Sequence, residues 1–198
     1  MAKKIIPGNT DGLFVGIDNL AEFQKAIKRL ARDEVLVGVP EETTGREDAI
    51  SQASGITNAS LAYIHDNGAP EARIPQRPFM IPGMERSKQN VTELLGKMAN
   101  YGLQQTPNVA KVDEGFNRIG LIVRDNMREV IAEGIAPALA DMTLRARAAK
   151  GRKGAKLELE RRAAGIPPGT DLATPLLDTG ELNKSLNWVV RKRSDRSA

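Results

Sequence analysis

The segment Asn58 to Phe79, NASLAYIHDNGAPEARIPQRPF, constrains this chain more than any other. A short apolar helix, a glycine stop and a proline-braced extended stretch follow one another without a spacer. Pro75 and Pro78 fix their own φ angles and bias Ile74 and Arg77 toward extended backbone, so the stretch from Ile74 to Phe79 is predicted to be a stiff arm. Gly68 is predicted to end the helix in a left-handed conformation, and Pro70 keeps the chain extended beyond it. Such a run builds a rigid surface for docking more readily than a reaction pocket, because little chain entropy is lost when a preformed edge meets a partner.

At 198 residues the chain has room for one domain of ordinary size and buries a core without disulfides. It has no cysteine and one histidine, His65, so thiolate chemistry is excluded and a metal site would have to rest on carboxylates. Neither a metal nor a cofactor is expected. No stretch approaches the ~20 apolar residues needed to span a bilayer, which predicts a soluble chain made in the cytoplasm. His65 beside Asp66 has no nucleophile or second ligand tied to it by spacing, and it is read as a hydrogen-bonding residue at a helix end.

Charge is unevenly placed along the +4 chain. Arg145, Arg147, Lys150, Arg152, Lys153, Lys156, Arg161 and Arg162 stand against Glu158 and Glu160, giving +6 within 145–162. The tail from Arg191 adds four cations against Asp195, so the remainder carries −5. A basic strip of this kind follows nucleic-acid phosphates, meets the acidic surface of a neighbouring subunit, or is simply solvated.

Periodicity predicts an α+β chain: a small antiparallel or mixed sheet against two long amphipathic helices, with an extended proline-rich arm and a basic inserted segment. Leu13 to Ile17 reads as a strand, and Asn19 with Glu22 as a capping box before a helix whose apolar face is Leu20, Phe23, Ile27 and Leu30. Val35 to Val39 reads as a second strand ending at Pro40, and 41–57 as a long loop. Pro82 suits the first turn of a helix carrying Met84, Val91, Leu94, Leu95 and Met98. Val112, Phe116, Ile119, Val123, Met127 and Val130 form the clearest amphipathic face, with Gly134 as the stop. Gly151 to Thr170 lacks a sizeable apolar face and is expected to order only against a partner. Asp178 and Glu181 resemble a cap on a short helix, and Leu186, Trp188 and Val190 alternate in a closing strand. One domain over 1–198 is expected, its core at about 11–135 and 171–192, with a projecting insertion at about 145–170.

The blocks NASLAYIH (58–65), IPQRPF (74–79) and PLLDTGEL (175–182), ending in Ser185-Leu186 and preceded by Val37-Gly38-Val39-Pro40, resemble the neck and tail-completion proteins of long-tailed bacteriophages. The resemblance covers most of 13–192, is weakest across 145–170, and has Asp66 where the family carries glutamate. It implies a non-enzymatic virion protein, built in the host cytoplasm. Such a protein forms a homo-oligomeric ring at the head-to-tail junction or terminates the tail tube, touching other neck, connector and tail-tube proteins and packaged DNA. Tyr63, Ile74, Pro75, Arg77, Pro78, Phe79 and Asp178 are then the expected partner-interface residues, with Arg77 poised for a bidentate carboxylate contact and Phe79 burying its ring beside it. The eight cations of 145–162 are expected to meet DNA or a neighbouring subunit.

Two other functional classes follow from the residues alone. A sequence-independent DNA-binding protein would use 145–162 through phosphate contacts, although Phe14, Phe23, Phe79, Phe116, Tyr63, Tyr101 and Trp188 all lie outside that strip and offer no stacking platform within it. Leu176-Leu177-Asp178-Thr179-Gly180 has the form of an aspartic-protease loop, in which two carboxylates share a proton. The single copy here would demand a symmetric dimer, and Glu181 would add a charge beside the pair.

Overall fold

The computed structural model describes residues 19–40, 56–104 and 106–193. The expected strand at Leu13 to Ile17 and nearly all of the expected 41–57 loop lie outside the described residues. Among the described residues are seven α-helices and one two-stranded antiparallel sheet, a mostly helical α+β arrangement.

Two long helices form the centre: α3 (Met80–Leu103) and α4 (Val109–Glu133). At 1.5 Å rise per residue each is roughly 36 Å long, and together they form an antiparallel hairpin. Every residue of the predicted α4 face is buried, from Val112 to Val130, and Gly134 ends the helix with φ 84°. The N-cap is Asn108, whose side chain accepts from Lys111 N at 3.0 Å.

The facing seam of α3 differs from expectation. Met84 and Leu95 are exposed, while Gly83, Ser87, Met98 and Gly102 are buried. Small residues bring the two backbones close: a Cβ on Gly83 would lie 2.7 Å from Met127 Cα. Ser87 satisfies its buried hydroxyl by donating to Gly83 O (2.7 Å) and accepting from Asn126 (2.9 Å).

Helix α1 (Leu20–Arg32) crosses α3 where Gly102 faces Leu30 and Ala26. Ala26 is its buried residue, whereas Leu20 and Ile27 are exposed, so the contact face is rotated from the predicted one. Asn19 makes no side-chain cap bond, and the expected capping box does not form.

Strand β1 (Asp33–Gly38) pairs antiparallel with β2 (Asn187–Lys192), Val35 opposite Val190 and Val37 opposite Trp188. These alternate residues turn toward the main core, and Leu36 and Val189 face outward. Gly120 of α4 leaves room for the Trp188 ring, and Arg124 stacks 4.9 Å from its centroid, a cation–π contact worth about 0.5–1 kcal/mol.

The basic insertion departs most from expectation. Residues 141–163 fold on themselves as α5 (Asp141–Ala149) and α6 (Lys153–Ala163), which enclose a second apolar cluster of Leu139, Leu144, Ala155 and Ala173. A buried carboxylate, Glu158, fixes the hairpin to the following loop: Oε1 accepts from Arg162 Nε and Gly169 N, each at 2.9 Å, and Arg161 lies 2.8 Å from Oε2. Removing either partner alone would leave a buried charge, which is why such clusters hold their geometry firmly. The segment orders within its own chain, and the expectation that it needs a partner is incorrect.

Candidate partner-binding groove

Helix α2 (Asn58–Asn67) opens on Thr57, whose hydroxyl accepts from Ser60 N at 3.1 Å. It stops at Gly68 with φ 78° and ψ 168°, outside the predicted left-handed helical region and in territory that only glycine enters readily. A Cβ there would sit 2.8 Å from Gln76 N, so the glycine also lets the returning chain pass. Between them, Pro70–Ala72 make one 3-10 turn and Ala69 bridges Ile74.

The stretch after Ile74 is extended but lies against its own subunit. Arg77 N donates to His65 O (2.8 Å), and Arg77 Nη2 donates to Pro137 O (2.8 Å). Phe79 is wholly buried in the main core, worth about 1.5–3 kcal/mol of transfer free energy, so its ring is not presented to a partner as expected. Asp66 closes the loop: Oδ1 accepts from Phe79 N (2.8 Å) and Met80 N (3.1 Å), capping α3 from thirteen residues upstream.

Beside this stretch runs a groove of about 1030 Å³, walled by residues 65–77, the start of α5, and the turn from Leu176 to Leu182. Arg77 is 5% exposed and has no carboxylate partner among the described residues. Burial, and then the neighbouring Arg147, hold its guanidinium below its ordinary pKa. Arg147 is also lowered by burial; its Nη1 donates to Thr174 O and Leu177 O at 3.0 Å each, bracing the turn in which Leu176 takes φ 66°.

Asp178 is not the predicted helix cap. It accepts from Arg152 Nε at 3.0 Å and lies 3.7 Å from Lys150 Nζ, so two cations compensate its charge. The short helix α7 (Glu181–Ser185) starts instead from Gly180 at φ 79°, with Thr179 Oγ1 accepting from Glu181 N.

The geometry brings Ile74, Pro75, Arg77 and Asp178 together with Arg147 and Lys150 around one groove. Tyr63 lies apart on the outer face of α2, 69% exposed, and Pro78 is half-buried beside Phe79. Of the eight cations expected to contact DNA or a neighbour, Arg147, Lys150, Arg152, Arg161 and Arg162 bond within the chain, Arg162 also to Asp141 and Leu139 O. Arg145, Lys153 and Lys156 stand exposed.

Among the described residues no group of three or more histidines or carboxylates could hold a metal ion, and no helix is long and apolar enough to cross a membrane. Comparison with protein-family models, curated proteins and solved structures finds no match to this chain.

Proposed function

We propose that this chain is a structural virion protein of a tailed bacteriophage, assembling as an oligomeric ring at the head-to-tail junction or completing the tail tube, and working by subunit docking without turnover. The observation that carries the reading is the meeting of three sequence blocks, 58–65, 74–79 and 175–182, around one groove. Those blocks, the last of them about a hundred residues beyond the other two, are the ones that resemble neck and tail-completion proteins. Arg77 and Asp178 are fixed on these blocks by bonds to Pro137 O and Arg152, so part of the surface is set before any partner docks.

A DNA contact through 145–162 is less well supported, because five of its eight cations already have partners in the chain. Deleting the gene from a phage that carries it tests the proposal. Lysates should then hold filled heads and free tails that do not join, or tails of abnormal length, and a plasmid copy should restore whole particles. Normal particle yields from the deletion would overturn it.

A further inference from the structure

We infer that the groove beside Arg77 receives an extended, carboxylate-bearing peptide segment of a partner protein; the inference rests on the virion reading above and names the chemistry of its docking site. Three observations point to it. Arg77 is nearly buried, its Nε has no hydrogen-bond partner, no ion pair joins it to a carboxylate among the described residues, and the charge of Arg147 bears on it. A buried guanidinium in this state gains from an anion that enters, because a buried charge without an opposite partner is strongly disfavoured.

Second, charge around the groove is unbalanced. Arg73, Arg77, Arg147 and Lys150 line it against Asp178 and Glu181, and Asp178 is already held by Lys150 and Arg152. Third, the two non-glycine residues with positive φ among the described residues, Arg73 (55°) and Leu176 (66°), both line this groove. Each such conformation is strained and persists where the surroundings impose it, characteristically at ligand clamps.

The occupant's class follows from the walls. Leu61, Ile74, Leu139 and Leu182 add apolar wall to the cations, which suits a peptide alternating apolar and acidic side chains. Among the described residues no Phe, Tyr or Trp lines the groove to stack a base, which favours peptide over nucleic acid. The volume lies at the upper end of the ~300–1000 Å³ range of ligand clefts, more than one side chain fills.

The test is fluorescence anisotropy of the full chain with a labelled, end-capped peptide alternating Glu and Leu between Gly and Ser spacers. An otherwise identical Gln peptide serves for comparison, and duplex DNA as competitor. Thr143, exposed on α5, and Lys150 line the groove; Lys156 is exposed and lies outside it. The Glu peptide should bind and the Gln peptide should not. Thr143→Trp, which blocks the groove without changing charge, and Lys150→Gln should each weaken binding by about tenfold or more, with Lys156→Gln within about twofold of the parent. Circular dichroism confirms that each variant is folded.

Equal binding of both peptides, or binding unchanged by Thr143→Trp, overturns the inference. Duplex DNA that displaces the peptide and itself loses affinity in Thr143→Trp overturns it in favour of a nucleic-acid site. A chain present in purified particles whose groove ignores the Glu peptide sinks this inference alone. A groove that binds the peptide in a chain absent from particles supports it and sinks the virion reading.

Discussion

Asp66 shows how one side chain fixes the groove and the core together. Its carboxylate caps α3 through Phe79 N and Met80 N, and so ties the end of α2 to the stretch that carries Arg77. Asp66→Ala leaves the buried Phe79 N–H without an acceptor, and a loss of about 1–3 kcal/mol is expected by urea unfolding, with Asp66→Asn retaining part of the capping. A variant as stable as the parent would contradict the capping role. This bond was not legible in the sequence, because the acceptor and donors are thirteen and fourteen residues apart and no periodicity links them. Gly68 was legible as a stop, but its ψ of 168° was not, since the close pass of Gln76 that selects it is a tertiary fact. A second test concerns Arg86 and Glu133, which join α3 to α4 at 2.6 and 2.5 Å. The hydrogen bonds from Arg86, with its charge, hold the Glu133 carboxyl below its ordinary value against the opposing effect of desolvation. A folded-state pKa below the unfolded one contributes stability that is present above the unfolded value and lost as pH falls through the folded value. Carboxyl NMR titration should therefore place Glu133 low in the parent and return it toward the ordinary range in Arg86→Gln; an unchanged midpoint would contradict the pairing.

At the scale of elements, the helical hairpin is set by unlike faces. The α4 face is apolar throughout and was legible from Val112 to Val130; the α3 face is built of Gly83, Ser87 and Gly102, which read as weak or polar positions in a one-dimensional pattern. Their contribution is proximity, and only the partner helix reveals it. Gly83→Ala should destabilise by about 1–3 kcal/mol, since the added methyl would lie 2.5 Å from Met127 Cγ and 2.7 and 2.8 Å from its backbone Cα and N, which cannot yield as a flexible side-chain end would. Gly96→Ala, exposed on the same helix with nothing within 4 Å, should instead gain about 0.5–1 kcal/mol from helix propensity. Chemical denaturation of the pair checks both signs, and equal shifts would remove the close-packing account of the hairpin. The α5 and α6 hairpin was missed for a related reason. Its apolar cluster is small, and its order depends on Glu158 set three and four residues before Arg161 and Arg162, a helical charge spacing that reads as a solvated face until the loop at Gly169 covers it.

For the whole molecule, two apolar clusters each lend a residue to the groove, Leu182 from the one under the sheet and long helices and Leu139 from the one at the α5 and α6 hairpin. The α+β class and the closing strand with Trp188 and Val190 turned inward were legible, because alternation in a short strand survives without its partners. The docking of 175–182 beside 58–65 and 74–79 was not, since contacts between segments about a hundred residues apart leave no local period. The account holds that these fixed surfaces act by gripping other polypeptides inside a finished particle. Mass spectrometry of purified mature phage, with gold-labelled antibody locating the chain by electron microscopy, tests this most directly. The account predicts a fixed copy number per particle and label confined to the neck or tail end; a chain absent from mature particles would contradict it.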